Sequence, residues 1–211
     1  MCGIVGQLNF DNSPVSPVIL KKMTDVIKHR GPDGEGHWIE GNIGFGHRRL
    51  SIIDISPAGH QPMISADHRY VLTYNGEIYN FRELRTELEA KGYWFRSQTD
   101  SEVVLYSLAE WGIDALLKFN GMFALAFWDR KEKNLLLARD RYGIKPLYYF
   151  QNDKKLVFGS EQKALLEQPC FDRVINKRAL LEYFTFQNIF TDQTLLEGIH
   201  LLQPGHYATI D

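Results

Sequence analysis

The 211-residue chain is long enough for one large domain, or for one domain with an extension, and lies well beyond the size at which a core becomes marginal. Its 44% hydrophobic and 24% charged residues are those of an ordinary globular protein, and a formal net charge of −2 gives no electrostatic case for binding nucleic acid or an anionic membrane. The longest apolar run, Met122 to Trp128, is too short to span a bilayer, no basic-then-apolar signal opens the chain, and two cysteines, Cys2 and Cys170, make no disulfide framework. A cytoplasmic, reducing compartment is therefore expected.

Ile4 to Phe10 reads as a first strand, followed by a loop holding Pro14 and Pro17. Val18 to Lys28 reads as a helix, with Leu20, Met23 and Ile27 on its apolar side. His29-Arg30-Gly31-Pro32-Asp33-Gly34 is loop chemistry. Strands are expected at His37 to Glu40 and Ile43 to Leu50, split by the turn pair Gly41-Asn42, and again at Tyr70 to Tyr74. A helix follows, with Asn80 as N-cap, Glu83 three residues on, Phe81, Leu84 and Leu88 on one face, and Gly92 as its stop. A second helix runs from about Ser101 to Trp111, with Thr99 and Glu102 at capping-box spacing. Met122 to Trp128 and Asn134 to Arg139 flank the charged turn Asp129 to Lys133 as a buried hairpin would. Pro146 to Phe150 and Leu156 to Gly159 repeat the arrangement. From about Glu167 the pattern changes to a loop with Pro169, a short helix near Lys177 to Phe184 and a segment ending Leu201-Leu202-Gln203-Pro204-Gly205-His206. About eight hairpin-joined strands argue for an α+β fold on antiparallel sheets. The expected division is a core over residues 2–165 and an extension over 166–211 that packs on it.

Met1-Cys2-Gly3 carries the sharpest chemical signal. Small residues at position two favour removal of the initiator methionine, which places the Cys2 thiol beside a free α-amine that can act as its own base. Taken alone, Cys2 reads first as an arbitrary small residue after the start. Asn75-Gly76-Glu77 is expected to lie directly after a strand, where an Asn amide and a Gly N–H would make two oxyanion donors; Asn-Gly is also the commonest tight-turn pair. Arg48 and Arg49 face opposite sides of one strand, so only one lines a pocket, where it would clamp a carboxylate. Asp100, just before a helix, suits a substrate ammonium or a simple N-cap.

In sequence order the chain presents Met1-Cys2-Gly3-Ile4, His29-Arg30-Gly31-Pro32-Asp33, Gly46-His47-Arg48-Arg49-Leu50-Ser51-Ile52, Gln61-Pro62, Tyr74-Asn75-Gly76-Glu77-Ile78-Tyr79-Asn80, and Asp100-Ser101-Glu102. Gly121-Met122-Phe123-Ala124, Arg139 to Tyr148, and Ser160 to Leu165 follow. Together these resemble the class II, N-terminal-nucleophile glutamine amidotransferases, in their asparagine synthetase branch. The resemblance implies a four-layer αββα sandwich of two antiparallel sheets. It also implies Cys2 as nucleophile, Asn75 and Gly76 as oxyanion donors, Arg49 as clamp of the glutamine carboxylate, and Glu77 and Asp100 as binders of its amino group. Backbone near Ile52 is expected to help hold glutamine. His29 to Asp33 and Arg139 to Leu147 read as scaffold beside an exit for ammonia, and Cys170 as a packed hydrophobe.

No metal or cofactor is expected for the glutaminase half; ATP and Mg are expected only for a synthetase domain whose phosphate-binding loop this sequence lacks. The partners implied are glutamine and a C-terminal synthetase domain past Asp211, with room for a homodimer and with no nucleic acid or membrane. Aspartate is the acceptor implied, with sugar acids and peptide carboxylates as alternatives, and a non-catalytic regulatory module as the rival outside enzymology.

Overall fold

Alternation along the strands sets the layering. The computed structural model describes residues 1–51, 56–169 and 171–211. Ile52 and Cys170, singled out above, therefore lie outside the described residues. Strands β1 (Gly3–Asn9), β2 (Gly34–Glu40), β3 (Ile43–Arg49), β8 (Tyr148–Gln151), β9 (Lys155–Gly159) and β10 (Ile199–Leu201) form one sheet in the order β10-β8-β9-β1-β3-β2. Strands β4 (Met63–Ile64), β5 (Tyr70–Ile78), β6 (Gly121–Asp129), β7 (Asn134–Arg139) and β11 (Tyr207–Ile210) form the other, in the order β11-β7-β6-β5-β4. Every neighbouring pair is antiparallel.

The period of two sends alternate side chains to opposite faces. Ile4 and Leu8 of β1, Ile43 and Phe45 of β3, Val71 of β5, and Ala124, Ala126 and Trp128 of β6 meet in one cluster between the sheets. The opposite face of the first sheet, through Val5 and Val157, packs on Leu20 and Met23 of α1 (Pro17–Asp25) and on Ala164 and Leu165 of α5 (Gln162–Leu165). The opposite face of the second, through Leu72, Tyr74 and Ile78, packs on α2 (Phe81–Ala90), α3 (Asp100–Trp111) and α4 (Ala115–Lys118). The layers are thus helix, sheet, sheet, helix, as the resemblance implied. Each large apolar side chain shut into these three clusters contributes about 1.5–3 kcal/mol. Among the described residues, no helix is long and apolar enough to cross a membrane.

The described residues hold eleven strands rather than about eight. The additional ones are the two-residue β4 and the short β10 and β11, which carry too few residues for alternation to show. After α6 (Lys177–Phe186), β10 pairs with β8 and β11 pairs with β7, so residues from the 166–211 segment supply one edge strand to each sheet.

Three local expectations change. Asn75-Gly76-Glu77 is strand, not a turn after one: β5 runs on to Ile78, with Asn75 opposite Ala124 and Gly76 opposite Phe123. Nine consecutive partners on β6 outweigh the local turn preference of Asn-Gly. Asn80 does not cap α2 with its side chain. That amide instead donates to the Lys118 carbonyl at 3.0 Å and accepts from the Asn120 N–H at 2.9 Å, tying α2 to the start of β6. Asp100 is the first residue of α3, and Thr99 is its N-cap, accepting from the Glu102 N–H at 3.3 Å.

Candidate functional site

At one end of the sandwich the space between the sheets opens into a pocket of about 170 Å³. The inward parity that buries Ile4 and Leu8 also turns Cys2 inward, and the parity that buries Ile43 and Phe45 selects Arg49 over Arg48. Arg48 points the other way and is spent on α1. It donates to the Thr24 carbonyl at 3.1 Å, pairs with Asp25, and reaches Glu35 at 2.6 Å. On β5 the register of Val71 carries Asn75 and Glu77 to the same inner face. The pocket wall contains Cys2, Arg49, Asn75, Gly76, Glu77 and Asp100 together. Every predicted site residue among the described ones is therefore brought to one place.

The Cys2 sulfur sits between the two backbone groups of Leu50. The Leu50 N–H lies 3.4 Å from Sγ, and Sγ lies 3.6 Å from the Leu50 carbonyl. Burial pushes the thiol above its ordinary value, opposed by the Leu50 N–H and by the positive chain terminus. A thiol in this place does not ionise unaided at neutral pH and needs a base beside it. Arg30 holds the strand end by donating to the Cys2 carbonyl at 3.0 Å while binding Glu161 at 3.0 Å.

Asn75 is 1% exposed, and its amide nitrogen is buried with no hydrogen-bond partner among the described residues. Leaving a buried donor unpaired costs about 1–3 kcal/mol, so such a group calls for an explanation in chemistry. Gly76 has no room for a side chain: a Cβ there would meet the Met122 carbonyl oxygen and lie 2.7 Å from Cε2 of Tyr74.

Arg49 reaches the pocket from the end of β3, with Nη1 donating to the Ser56 carbonyl at 2.8 Å. Gly59 makes space for it, since a Cβ at Gly59 would lie 3.1 Å from the guanidinium carbon. Asp100 accepts from the Tyr74 hydroxyl at 2.8 Å and from the Ile78 N–H at 3.0 Å. Burial raises its carboxyl despite those two donors, and the nearby Glu77 raises it further. Two carboxylates and one guanidinium in one small cleft suit a ligand that carries both an ammonium and a carboxylate.

Several wall residues were not singled out as site residues in the sequence. Gln61 accepts from the Tyr74 N–H at 2.7 Å and donates to Ser101 at 3.2 Å, linking its loop to β5 and α3. Tyr74 orients Asp100 from the outer face of β5. Lys145 lines the pocket, although its stretch reads as scaffold in the sequence. Gln61 and Tyr74 stand in motif text, but nothing in spacing says that a loop glutamine and an outward-facing tyrosine both reach the start of α3. The scaffold reading of Arg139 to Leu147 does describe Arg139 itself, which donates to the carbonyls of Lys145, Leu202 and Gly143 at 2.8, 2.6 and 2.5 Å. Among the described residues there is no group of three or more His, Cys, Asp or Glu side chains placed to hold a metal ion.

Residues 1–211 match the model of the glutamine amidotransferase domain family. The chain is 41% identical over 215 residues to asparagine synthetase [glutamine-hydrolyzing] 1 of Bacillus subtilis, covering all of this chain and 33% of that protein. It is 39% identical over 213 residues to asparagine synthetase [glutamine-hydrolyzing] 3 of the same organism, covering 99% and 34%. The chain thus spans about a third of the length of these curated relatives. Among solved structures it resembles the glutamine phosphoribosylpyrophosphate amidotransferase of B. subtilis, with a TM-score of 0.66 at 21% identity, covering 78% of this chain and 43% of that one. That likeness is one of fold, the layered arrangement of antiparallel sheets and helices described above. On the whole-chain family match and the identity to both synthetases, the chain belongs to the glutamine amidotransferase domain family.

Proposed function

We propose that this domain hydrolyses glutamine to glutamate and ammonia with Cys2 as nucleophile. The observation that carries the reading is the buried, unpartnered amide nitrogen of Asn75 in the same pocket wall as the Cys2 thiol. After removal of Met1 the Cys2 α-amine takes the thiol proton, and the thiolate adds to the side-chain amide carbon of glutamine. The developing oxyanion is held by the Asn75 amide and the Gly76 N–H. Protonation of the leaving nitrogen by the α-ammonium expels ammonia and leaves a γ-glutamyl thioester. Water, giving its proton to the α-amine, then releases glutamate and the free thiol. Arg49 binds the glutamine carboxylate, and Glu77 and Asp100 bind its ammonium.

The ammonia serves ATP-dependent amidation of a carboxylate. The names of the two synthetases favour aspartate going to asparagine, on a C-terminal synthetase domain that would occupy the remaining two-thirds of a protein of their length. ATP and Mg belong to that second half-reaction, and no residue of this pocket is assigned to them. A reducing cytoplasm suits an N-terminal thiol. The boundary we propose between the glutaminase core and the leading-out segment stays near residue 165. The test is glutamate release from glutamine by the purified domain without ATP, beside intact-protein mass spectrometry. Activity is expected only in the fraction that has lost Met1, and full activity in a uniformly Met1-retaining sample would sink the self-base mechanism.

A further inference from the structure

Lys145 is a lysine in an unusual position. Its residue is 4% exposed, it lines the pocket of Cys2, and among the described residues its ammonium has one hydrogen-bond partner, the Met1 thioether at 3.2 Å. A thioether is a weak acceptor, and Met1 is the residue whose removal the chemistry requires. The backbone beneath the lysine is fixed at both ends. Its N–H donates to Asp140 at 2.9 Å and its carbonyl accepts from Arg139 at 2.8 Å. Asp140 is also held by the N–H groups of Phe123, Tyr142 and Ile144, so its carboxylate is committed to backbone. The loop therefore delivers one cation to the end of β1 and little else.

We propose that Lys145 is a positioning residue for the N-terminal base: once Met1 is gone, its ammonium faces the Cys2 α-amine and holds that amine in the neutral, proton-accepting form. The inference rests on the reading of Cys2 given above. An α-amine of ordinary pKa about 7.7–8.0 is mostly protonated in a neutral cell and is then no base. A like charge a few ångströms away disfavours the protonated form. The charged groups around this point are Arg30 beside β1, Arg49 on β3, Glu77 on β5, Asp100 on α3 and Asp140 in the loop. Arg30 is held to the Cys2 carbonyl and to Glu161, and Glu77 and Asp100 face the part of the cleft assigned to the substrate ammonium. Of the cations here Lys145 is the one whose ammonium lies against Met1, 3.2 Å from its thioether. Burial, first, and Arg30 lower the pKa of its ammonium from a high ordinary value, while Cys2, Asp140 and Glu77 oppose them.

The experiment compares the pH dependence of kcat/KM for glutamine in Met1-processed wild type, Lys145→Met and Lys145→Arg. Removing the charge is expected to move the acidic limb of Lys145→Met upward by about one pH unit. Its kcat/KM would be roughly tenfold lower near pH 6.5 and would approach wild type above pH 8.5. Lys145→Arg keeps the charge and should restore the limb. An unmoved limb in Lys145→Met, or an equal shift in Lys145→Arg, overturns the proposal while leaving Cys2 as nucleophile. Because Lys145→Met is a near-buried substitution, a second measurement uses wild type alone: NMR titration of protein labelled with ¹⁵N-cysteine. The α-amine should titrate below its ordinary range, and a value within or above that range overturns the proposal even where the variant does not fold. Absence of any glutaminase activity in fully processed protein would fell the reading of the site, and this inference with it.

Discussion

A single amide distinguishes chemistry from binding in this pocket. On the oxyanion role proposed for Asn75, Asn75→Ala removes a donor used only in the transition state, and kcat is expected to fall by roughly 10²–10³ with little change in KM. In the proposed binding roles, Arg49 and Asp100 contact substrate and transition state alike, so steady-state kinetics of Arg49→Ala and Asp100→Ala should show the change chiefly in KM. A change confined to KM in Asn75→Ala would withdraw its oxyanion role. At this scale the sequence was informative where a residue's type matched one task. Cys2, Arg49 and Asp100 could each be nominated from type and neighbours. Gln61 and Lys145 could not, because their positions depend on loops whose closure is decided by distant strands.

Among the elements, β5 teaches most. Local chemistry at Asn75-Gly76 predicts a turn, yet the strand continues because β6 offers a partner for each residue to Ile78. This longer strand also turns the side chain of Asn75 inward with the same parity as Val71. A side chain at Gly76 would press on the Met122 carbonyl and the Tyr74 ring. Gly76→Ala is therefore expected to destabilise the fold by about 1–3 kcal/mol through overpacking. For a chain of this size that lowers Tm by about 2–4 °C per kcal/mol, read by thermal unfolding. An unchanged Tm would show that β5 and β6 separate more easily than their register suggests. The capping of α3 by Thr99 and the ends of β7 were legible from spacing and charge, since both are decided within a few residues. The edge strands β10 and β11 were not, since their partners lie some 50 to 70 residues earlier.

For the whole molecule, the space between the sheets stores a pH dependence. His47 is 1% exposed; its Nε2 lies 3.2 Å from the Tyr74 carbonyl and must donate to it. Burial lowers its pKa from 6.5 to about 3. In the unfolded chain the imidazole takes a proton as pH falls through 6.5, whereas the folded protein keeps it neutral until about pH 3. Its contribution is thus full above pH 6.5 and is lost as pH falls from there. Between pH 6.5 and 5 the loss is on the order of 2 kcal/mol. Urea titrations at these two values should show it, and His47→Gln should flatten that slope; an equally steep slope in the variant would assign the loss elsewhere. In a full-length protein carrying this domain before a synthetase domain, Cys2→Ala should abolish glutamine-dependent synthesis yet leave synthesis from ammonium salts intact. Loss of both would show that the two half-reactions are not separable.

The placement of β1 has a consequence for timing. It is an interior strand, bonded on one side to β3 and on the other to β9, which ends at Gly159. Cys2 directly precedes β1 and, with Met1, lines the pocket once both neighbours have docked. At 5–20 residues per second, the ribosome takes roughly ten to thirty seconds to reach β9. Removal of Met1, which the proposed mechanism requires, is therefore expected to be easiest on the nascent chain, before β9 pairs with β1.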